Sequence, residues 1–383
     1  MSRALASTPA ADGFRMPGEF EPHAGCWMLW PERPDNWREA ARPAQLAFAG
    51  VAAAIAQFEP VTIGVSRAQL KRARALLPAG VHVVALAHDD CWMRDVGPTC
   101  VVDRRGRVRG VDWHFNAWGG LAGGLYFPWD RDERVARRVL DLEGLGRYRA
   151  PLVNEGGAIH VDGQGTALVT EECLLNPNRN PHLARADIER RLREYLGVST
   201  IIWLDKGVFN DETDGHIDNL ACFARPGVVC LTWTERRRDP QYAISLDAWQ
   251  RLRDARDARG RRLELVKLPM PGPLALSARE AAGIARRAGT KRRAAGERLA
   301  ASYVNFYIAN GGIVMPLLDE RTDRPAARRL KRLFPGRRIT GVPAREVLLG
   351  GGNIHCITQQ LPLGRGAGRE SRAWAHGCAG RRR

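Results

Sequence analysis

The sequence lacks several features that would place it in a specialised class of protein. No apolar run approaches the roughly 20 residues that a membrane span requires, so no transmembrane helix is predicted. None of the 8 cysteines forms a Cys-x-x-Cys pair, which argues against a structural zinc motif or a thioredoxin-like site. The start of the chain carries no continuous apolar segment, so no secretory signal is predicted. Unpaired cysteines without an export signal favour a cytoplasmic location.

Lysine is also scarce, although the chain is strongly basic. The formal net charge is +17, yet lysine occurs only at positions 71, 206, 267, 291 and 331, and the other basic residues are arginines. The arginines are spread over stretches with helical periodicity, which is typical of solvated helix faces rather than of one binding surface. A nucleic-acid partner is therefore not favoured. An inactive protein that binds nucleic acid through its basic surface remains an alternative.

The 383 residues suffice for one large domain with a sizeable core. Residues 1–15 are rich in alanine and serine, and we predict a disordered lead-in there. Residues 363–383 are rich in glycine and arginine, which predicts a disordered basic tail. Residues 16–362 are predicted to form a single α/β domain.

A recurring unit organises this domain. Apolar or alternating runs joined by glycine-containing turns predict β-hairpins, and the units begin near positions 94, 156, 215, 302 and 351. Helical periodicity and a further short strand follow most of the hairpins. The predicted helices include 43–58, 134–142, 184–195, 243–258 and 325–334, and the predicted strands include 25–30 and 302–308. Such a repeat predicts a closed, propeller-like arrangement around one axis, with an ordinary α+β domain as the alternative.

Reactive polar residues occur at the starts of these units. They are Asp95, Glu155, His216 with Asp218, and Cys356, and each lies close to glycine. Equivalent positions of a closed repeat face a common axis, so these side chains are expected to share one pocket. Glycine at such positions allows close backbone approach and unusual dihedral angles.

This set of side chains indicates chemistry on a planar cation. A thiolate at Cys356 is a strong nucleophile, and a histidine can protonate a leaving amine and later activate water. Three carboxylates exceed the needs of a thiol protease, but paired carboxylates match the forked N–H donors of a guanidinium. The predicted reaction is attack at the guanidinium carbon, loss of ammonia and hydrolysis to a ureido product. It needs no metal and no organic cofactor.

Several assignments remain open from the residues alone. We favour His216 over His355 as the base, because neighbours on a strand point to opposite faces and His355 is adjacent to Cys356. The pairs His216–Asp218 and His160–Asp162 have a spacing found in metal sites, but the signal is weak and no metal is predicted.

Other polar and aromatic residues are candidates for binding the rest of the substrate. The acidic stretch 211–214, with Asp211 and Asp214, either receives the distal ammonium of a diamine-like substrate or caps a loop. Trp92 and Trp118 either offer ring faces to the substrate or belong to the core.

Long motifs around these residues resemble the agmatine deiminase family of the pentein, or guanidino-group modifying, superfamily. The resemblance covers about residues 16–362. Its motifs are MPGEFEPHAGCWMLWP (16–31), WMRDVGP (92–98), FNAWGG (115–120), NEGG (154–157), LLNPNRNP (174–181), DETDGHIDN (211–219), SYVNFY (302–307) and GGGNIHCITQQ (350–360). The sequence departs from the family at Leu318, where an aromatic residue is usual, in the basic segment 277–298 and after Gln360.

The resemblance implies a five-bladed ββαβ propeller with pseudo-fivefold symmetry. It implies hydrolysis of agmatine to N-carbamoylputrescine and ammonia, a step towards putrescine, through an amidino intermediate on Cys356. The residues matching Asp95 and Asp218 would bind the guanidinium, and those matching Glu155 and His216 would transfer protons. No cofactor is implied, and homo-oligomers are common in the family.

A deiminase of arginine or of peptidyl-arginine is the main alternative. A substrate that carries a carboxylate should need a positioned arginine, for which Arg94 and Arg179 are the candidates.

Overall fold

The structure, a computed structural model, describes residues 4–364. Within this range the chain forms 17 strands: β1 Phe14–Arg15, β2 His23–Leu29, β3 Val61–Val65, β4 His82–Ala85, β5 Thr99–Asp103, β6 Val108–His114, β7 Gly146–Val153, β8 His160–Val161, β9 Thr166–Thr170, β10 Thr200–Leu204, β11 Ala221–Arg225, β12 Val228–Trp233, β13 Glu264–Pro269, β14 Tyr307–Ala309, β15 Gly312–Leu317, β16 Arg338–Pro343 and β17 Thr358–Pro362.

Helices alternate with these strands, as expected for a mixed α/β fold. The α-helices are α1 Arg42–Ile55, α2 Leu70–Leu76, α3 Met93–Val96, α4 Gly120–Gly123, α5 Val135–Leu142, α6 Glu171–Leu174, α7 Arg185–Leu196, α8 Ile217–Leu220, α9 Pro240–Asp254, α10 Ala278–Ala282, α11 Glu320–Leu333 and α12 Arg345–Leu349. Short 3₁₀ turns occupy Glu39–Ala41, Arg67–Gln69, Asp132–Arg134 and Gly156–Ala158. In the described part of the chain, no helix is long and apolar enough to cross a membrane.

The described strands form five sheets that repeat one arrangement. The strand orders are β1-β5-β6-β7, β10-β9-β8, β11-β12-β13, β14-β15-β16 and β17-β2-β3-β4. In each sheet a first strand pairs antiparallel with a second, and the second pairs parallel with a third that follows a helix. Parallel pairing needs such a crossover, which explains why α5, α7, α9, α11 and α1 separate the paired strands. The predicted ββαβ order is therefore present in all five sheets.

One sheet joins the two ends of the described chain. Its first strand, β17, lies next to β2, with Thr358 opposite Met28 and Gln360 opposite Cys26. The next strand in the sheet, β3, pairs parallel with β2 after the crossover through α1. This sheet thus pairs residues from opposite ends of the described chain.

The hydrophobic side chains pack mainly between each sheet and its helix. In α11, for example, Ala326, Leu330 and Leu333 are buried against Ile313 and Met315 of β15. Burial at this i, i+4 and i+7 spacing is what an amphipathic helix provides on a sheet. This helix begins earlier than the predicted 325–334, because the side chain of Asp319 accepts a hydrogen bond from the backbone N–H of Arg321 and caps its first turn.

The disordered lead-in predicted for residues 1–15 is wrong for residues 4–15. Phe14 and Arg15 form β1, which pairs with β5, and the Phe14 ring is buried between the guanidinium of Arg109 and Tyr148. An aromatic residue near the start of the chain supplied the apolar surface that anchors this segment. Of the predicted basic tail 363–383, only Leu363 and Gly364 lie within the described residues.

Candidate active site

Short helical turns place the predicted site residues just before the first strand of four sheets. Asp95 lies in α3 before β5, Glu155 precedes a 3₁₀ turn before β8, and Asp218 lies in α8 before β11, with His216 as its N-cap. Cys356 lies in the turn before β17. The structure brings all five side chains together, each with 5% or less of its surface exposed.

Glycine makes this convergence sterically feasible. A Cβ atom on Gly156 would lie 2.1 Å from the carbonyl oxygen of Arg94, so only glycine lets the turn before β8 approach α3. A Cβ atom on Gly157 would lie 2.5 Å from His216 Nδ1, 2.9 Å from Asp95 Oδ1 and 3.0 Å from Asp218 Oδ2. Gly157 therefore borders the space that these three side chains enclose.

The remaining sheet, β14-β15-β16, also contributes a residue to the site. This residue, Asn305, was not among the predicted site residues. Its Nδ2 donates to Cys356 Sγ at 3.2 Å, and its Oδ1 accepts from the backbone N–H of His355 and of Cys356 at 3.0 and 3.3 Å. The strand predicted over 302–308 is wrong for residues 302–306, since β14 begins only at Tyr307. The irregular backbone carries Asn305 to the nucleophile. Its place in the motif 302–307 was the only signal for it.

The Cys356 sulfur lies against carboxylates. Its thiol donates to Asp218 Oδ2 at 3.4 Å. Burial, together with the charges of Asp218 and Asp95, raises the pKa of the Cys356 thiol well above its usual range. A cation placed between the two carboxylates would reverse this effect, because it would neutralise the charges that disfavour the thiolate.

The pKa values of the two aspartates are shifted in opposite directions although the residues share the pocket. Burial and the charges of Asp218 and Glu155 raise the pKa of Asp95 to about 6, against the opposing charge of His216. For Asp218, burial opposes ionisation, but the hydrogen bond and charge of His355 outweigh it and lower the pKa. Asp95 accepts from the backbone N–H of Gly157 at 2.9 Å and from Trp118 Nε1 at 3.0 Å, which fixes its orientation.

His216 also borders Gly157, and its neighbours favour the charged form of the ring. Its Nδ1 is 3.8 Å from Asp95 Oδ1, and its Nε2 is 3.5 Å from Glu155 Oε2. Burial opposes protonation of the ring, but the neighbouring Asp95, Cys173 and Glu155 raise its pKa well above the usual range. Among the described residues neither ring nitrogen has a hydrogen-bond partner, so both remain available to a ligand.

Arg179 fixes Glu155 and links it to the acidic stretch. Its Nε donates to Glu155 Oε1 at 2.8 Å and its Nη1 to Asp214 Oδ2 at 2.7 Å, while Nη1 also donates to the carbonyl of Trp118 at 2.7 Å. Burial opposes ionisation of Glu155, but the charge of Arg179 lowers its pKa. All polar atoms of the guanidinium are thereby engaged with protein groups.

The acidic stretch 211–214 divides into three environments. Asp211 accepts from Thr213 N at 3.1 Å and from Asn219 Nδ2 at 3.0 Å. Asp214 pairs with Arg179 and accepts from Asn178 Nδ2 at 2.8 Å. Glu212 lies 2.6 Å from Arg293 Nη2, close to Gly351 in the glycine run before Cys356.

Trp92 and Trp118 line a pocket that also contacts Asp90, Tyr126 and Arg293. The ring of Trp92 stacks on Trp37 with centroids 5.3 Å apart and contacts Gly352, where a Cβ atom would lie 2.6 Å from it and 3.1 Å from Cys356 Sγ. Trp118 donates to Asp95. Both rings therefore border the nucleophile or its carboxylates instead of packing only in the core.

His355 contacts Asp218 and Glu19, whereas the ring nitrogens of His216 approach Asp95 and Glu155. The argument that His355 and Cys356 point to opposite faces is wrong in its premise, because both lie in a turn and both contact Asp218 Oδ2, at 2.9 and 3.4 Å. The other ring nitrogen of His355 faces Glu19. His355 thus has a carboxylate partner at each of its ring nitrogens.

Two groups of described residues have ligand atoms close enough to hold a metal ion. They are Glu19, His160 and His355, and Glu155, Cys173 and His216. In each group the glutamate already pairs with a buried arginine, Arg94 or Arg179. Neither group contains both members of the His216–Asp218 or His160–Asp162 pairs. The donor sets are those of ion-pair networks around arginine, an unfavourable neighbour for a divalent cation.

Comparison with known proteins places this site in context. The sequence pattern of the Porphyromonas-type peptidyl-arginine deiminases matches residues 15–362. The agmatine deiminase of Ectopseudomonas mendocina is 56% identical over 365 residues, which cover 95% of this chain and 99% of the relative. That of Pseudomonas aeruginosa is 57% identical over 363 residues, 94% of this chain and 99% of the relative. The solved agmatine deiminase of Enterococcus faecalis superposes with a TM-score of 0.92 at 47% identity, covering 95% of this chain and all of that one.

Proposed function

Because the chain belongs to the family of Porphyromonas-type peptidyl-arginine deiminases, we propose that it is an agmatine deiminase. This hydrolase acts on the C–N bond of a linear amidine and converts agmatine and water into N-carbamoylputrescine and ammonia, a step towards putrescine. One observation supports the chemistry above all: the Cys356 sulfur contacts the Asp218 carboxylate in a pocket that also contains Asp95. A buried thiol surrounded by negative charge becomes reactive only when a cation binds beside it.

The guanidinium is held between Asp95 and Asp218. Asp218 Oδ1 has no hydrogen-bond partner among the described residues and remains free to accept from a substrate N–H. The forked donors of the guanidinium match the two carboxylates, and the bound charge favours loss of the Cys356 proton to solvent. This placement also fixes the central carbon of the guanidinium in front of the sulfur.

Cys356 and His216 perform the two halves of the reaction. The thiolate forms an S–C bond with the guanidinium carbon, and the imidazolium of His216 gives its proton to the departing nitrogen, which leaves as ammonia. The remaining amidino group stays on the sulfur as a thiouronium cation. Neutral His216 then takes a proton from water, and the oxygen attacks the same carbon. The C–S bond breaks to return the thiolate, and the added hydroxyl loses its proton to solvent, which leaves the ureido product. Glu155, held by Arg179, stabilises the protonated ring before the first step and after the second.

The arginine partners favour agmatine over arginine as the substrate. A carboxylated substrate needs a cation in the pocket, and the two candidates from the sequence already have partners. Arg94 Nη1 donates to Glu19 at 3.1 Å, although its Nη2 has no hydrogen-bond partner among the described residues, and Arg179 pairs with Glu155 and Asp214. Releasing either would take the arginine partner from a buried carboxylate, Glu19 or Glu155, at a cost of roughly 3–5 kcal/mol.

For the distal amine we propose the acidic stretch 211–214. Asp211 and Asp214 remain candidates, and Glu212 joins them because it adjoins Gly351 near the nucleophile. The aliphatic linker would lie along Trp92 and Trp118. Variants Asp211→Asn, Glu212→Gln and Asp214→Asn, assayed with agmatine and with N-butylguanidine, identify the residue. Only its replacement should raise the KM for agmatine without changing that for the analogue without an amine.

We also propose that the five sheets are the blades of a five-bladed ββαβ propeller around the site. The shared strand order supports this arrangement, as does the meeting of residues that precede the first strand of each sheet. A cytoplasmic location is proposed because the seven described cysteines are free and buried, as expected in a reducing compartment. A small guanidino compound is the proposed partner, and a homo-oligomer is compatible with the family.

An assay of ureido product and ammonia tests the function. Agmatine, arginine and a peptide ending in arginine are offered to the purified protein, with Cys356→Ser as the control. Turnover of agmatine alone, lost in the control, is expected. Turnover of arginine or the peptide instead would reassign the substrate. Turnover of none, together with salt-sensitive binding of nucleic acid, would support the inactive-relative alternative.

A further inference from the structure

A buried chain of charges runs from Arg94 to the site. Arg94 Nη1 donates to Glu19 Oε1 at 3.1 Å, Glu19 Oε1 faces His355 Nε2 at 2.8 Å, and His355 Nδ1 faces Asp218 Oδ2 at 2.9 Å. All four side chains have 5% or less of their surface exposed. Apart from Asp218, none of them has a role in the reaction proposed above.

The contacts determine the protonation of the His355 ring. An ionised carboxylate only accepts hydrogen bonds, so a ring that faces one at each nitrogen needs an N–H at both, which is the imidazolium. Burial and the nearby Arg94 oppose this charge, but Glu19 and Asp218 outweigh them and raise the pKa of His355. Glu19 itself stays ionised, because the charges of Arg94, His355 and His160 overcome its burial and lower its pKa well below the usual range.

Asp218 needs such a partner because its other neighbours disfavour its charge. The carboxylates of Asp95 and Asp211 interact with it repulsively, and the sulfur of Cys356 contacts it. His216 is the other cation near Asp218, but its ring nitrogens approach Asp95 and Glu155. His355 bonds one oxygen, Oδ2, and leaves Oδ1 without a partner among the described residues.

We propose that His355 is a positioning residue for deimination, which orients Asp218 and preserves its negative charge so that the free oxygen can hold the guanidinium. Glu19, which pairs with Arg94, keeps the His355 ring protonated, and the protonated ring bonds Asp218. The ring is not expected to exchange protons with the substrate, since carboxylates engage both of its nitrogens. The inference rests on the proposed function, because it assigns the role within the same site.

Kinetics over a range of pH test the proposal in two variants. His355→Asn removes the cation, and Glu19→Gln removes the charge that sustains it with almost no change of volume. Asp218 should then bind a proton more tightly, so the acid limb of kcat/KM for agmatine should move to higher pH. Each unit by which the Asp218 pKa exceeds the assay pH should raise KM about tenfold, and KM should recover in alkaline buffer. Should His355→Asn fail to fold, the isosteric Glu19→Gln still tests the prediction.

A matched control is His88→Asn. His88 is also buried and bonds through both ring nitrogens, but its partners are the backbone carbonyls of Leu86 and Trp30. Its replacement should lower the melting temperature without moving the acid limb. An unmoved acid limb in His355→Asn and Glu19→Gln, with the loss confined to kcat or to the amount of folded protein, would overturn the proposal.

Alkylation of Cys356 separates this proposal from the proposed function, since it requires no turnover. The wild-type thiol should react with 2-chloroacetamidine, a cation shaped like the guanidinium, in preference to neutral iodoacetamide. His355→Asn and Glu19→Gln should lose about tenfold or more of that preference near neutral pH. A wild-type protein that shows the preference but does not convert agmatine would refute the substrate alone. A preference retained in both variants would refute the role of His355.

Discussion

Replacing Gly157 by alanine tests the packing of the site with a single methyl group. The new Cβ atom would lie 2.5 Å from His216 Nδ1, whereas relaxed contacts require about 3.5 Å, so the ring and the added group must separate by roughly 1 Å. Asp95 and Asp218 are also in contact with this position, at 2.9 and 3.0 Å. The methyl group would therefore displace both the acid-base residue and the carboxylates that hold the substrate.

The size of the effect follows from this displacement. A misplacement of about 1 Å in an active site costs on the order of 10²-fold in rate, which corresponds to about 2.7 kcal/mol of transition-state stabilisation. Gly157 is not among the glycines with a positive φ, so no backbone strain should add to this loss. The protein should remain folded, with a cooperative unfolding transition close to that of the wild type.

The assay measures kcat/KM for agmatine, and Gly50→Ala is the control. Gly50 lies inside α1, and its Cβ atom would meet only Val342 at 3.6 Å, an ordinary contact. Alanine there should leave activity unchanged and stabilise the helix by up to about 1 kcal/mol. If Gly157→Ala kept kcat/KM within about threefold of the wild type while remaining folded, the enclosed geometry around His216 would be refuted.

Four further predictions concern the charges and hydrogen bonds of the site. The folded-state pKa of Asp95 is raised to about 6, so its ionisation disfavours folding at higher pH. Asp95→Asn should therefore weaken agmatine binding yet stabilise the protein at pH 7.5 by up to about 3 kcal/mol. In urea unfolding experiments this gain should disappear towards pH 4. Wild-type kcat/KM should correspondingly fall below about pH 6, and a flat profile down to pH 5 would contradict this. Arg179→Met leaves Glu155 and Asp214 without their cation and should lower the free energy of unfolding by about 3–5 kcal/mol in urea titrations; no loss would show that the pair is solvated. Asn305→Ala removes the donor to Cys356 and should slow alkylation by chloroacetamidine about tenfold, whereas an unchanged rate would exclude an effect on the thiolate.

Much of the fold was predictable because the local patterns agree with it. Hairpins and helices repeat at spacings that the sequence shows directly, and Pro43 lies in the first turn of α1, where its missing N–H costs nothing. The limits of elements were less predictable. The strand expected over 302–308 shortens to Tyr307–Ala309, because the preceding residues bond to the site instead of to a neighbouring strand.

The reactive residues were predictable from the sequence, but the residues that position them were not. Asp95, Glu155, His216, Asp218 and Cys356 stand out because charged or nucleophilic groups beside glycine are unusual at the start of a buried strand. Asn305 is neutral, and Glu19 precedes β2 and not the first strand of its sheet, so neither chemistry nor spacing drew attention to them. Their importance depends on which groups meet in three dimensions, and that information appears only when the sheets are assembled.

The pairing of β17 with β2 makes the order of synthesis matter. Until the ribosome has delivered Thr358–Pro362, β2 is an edge strand with unpaired backbone groups, which invites association with other chains. The nucleophile, two residues before β17, is likewise delivered last. A chain that ends before Cys356 would therefore carry Asp95, Glu155, His216 and Asp218 but no nucleophile. Its β2 would also expose unpaired backbone groups to which chaperones could bind. Synthesis of the segment 356–362 therefore supplies both the nucleophile and the strand that covers the exposed edge of β2.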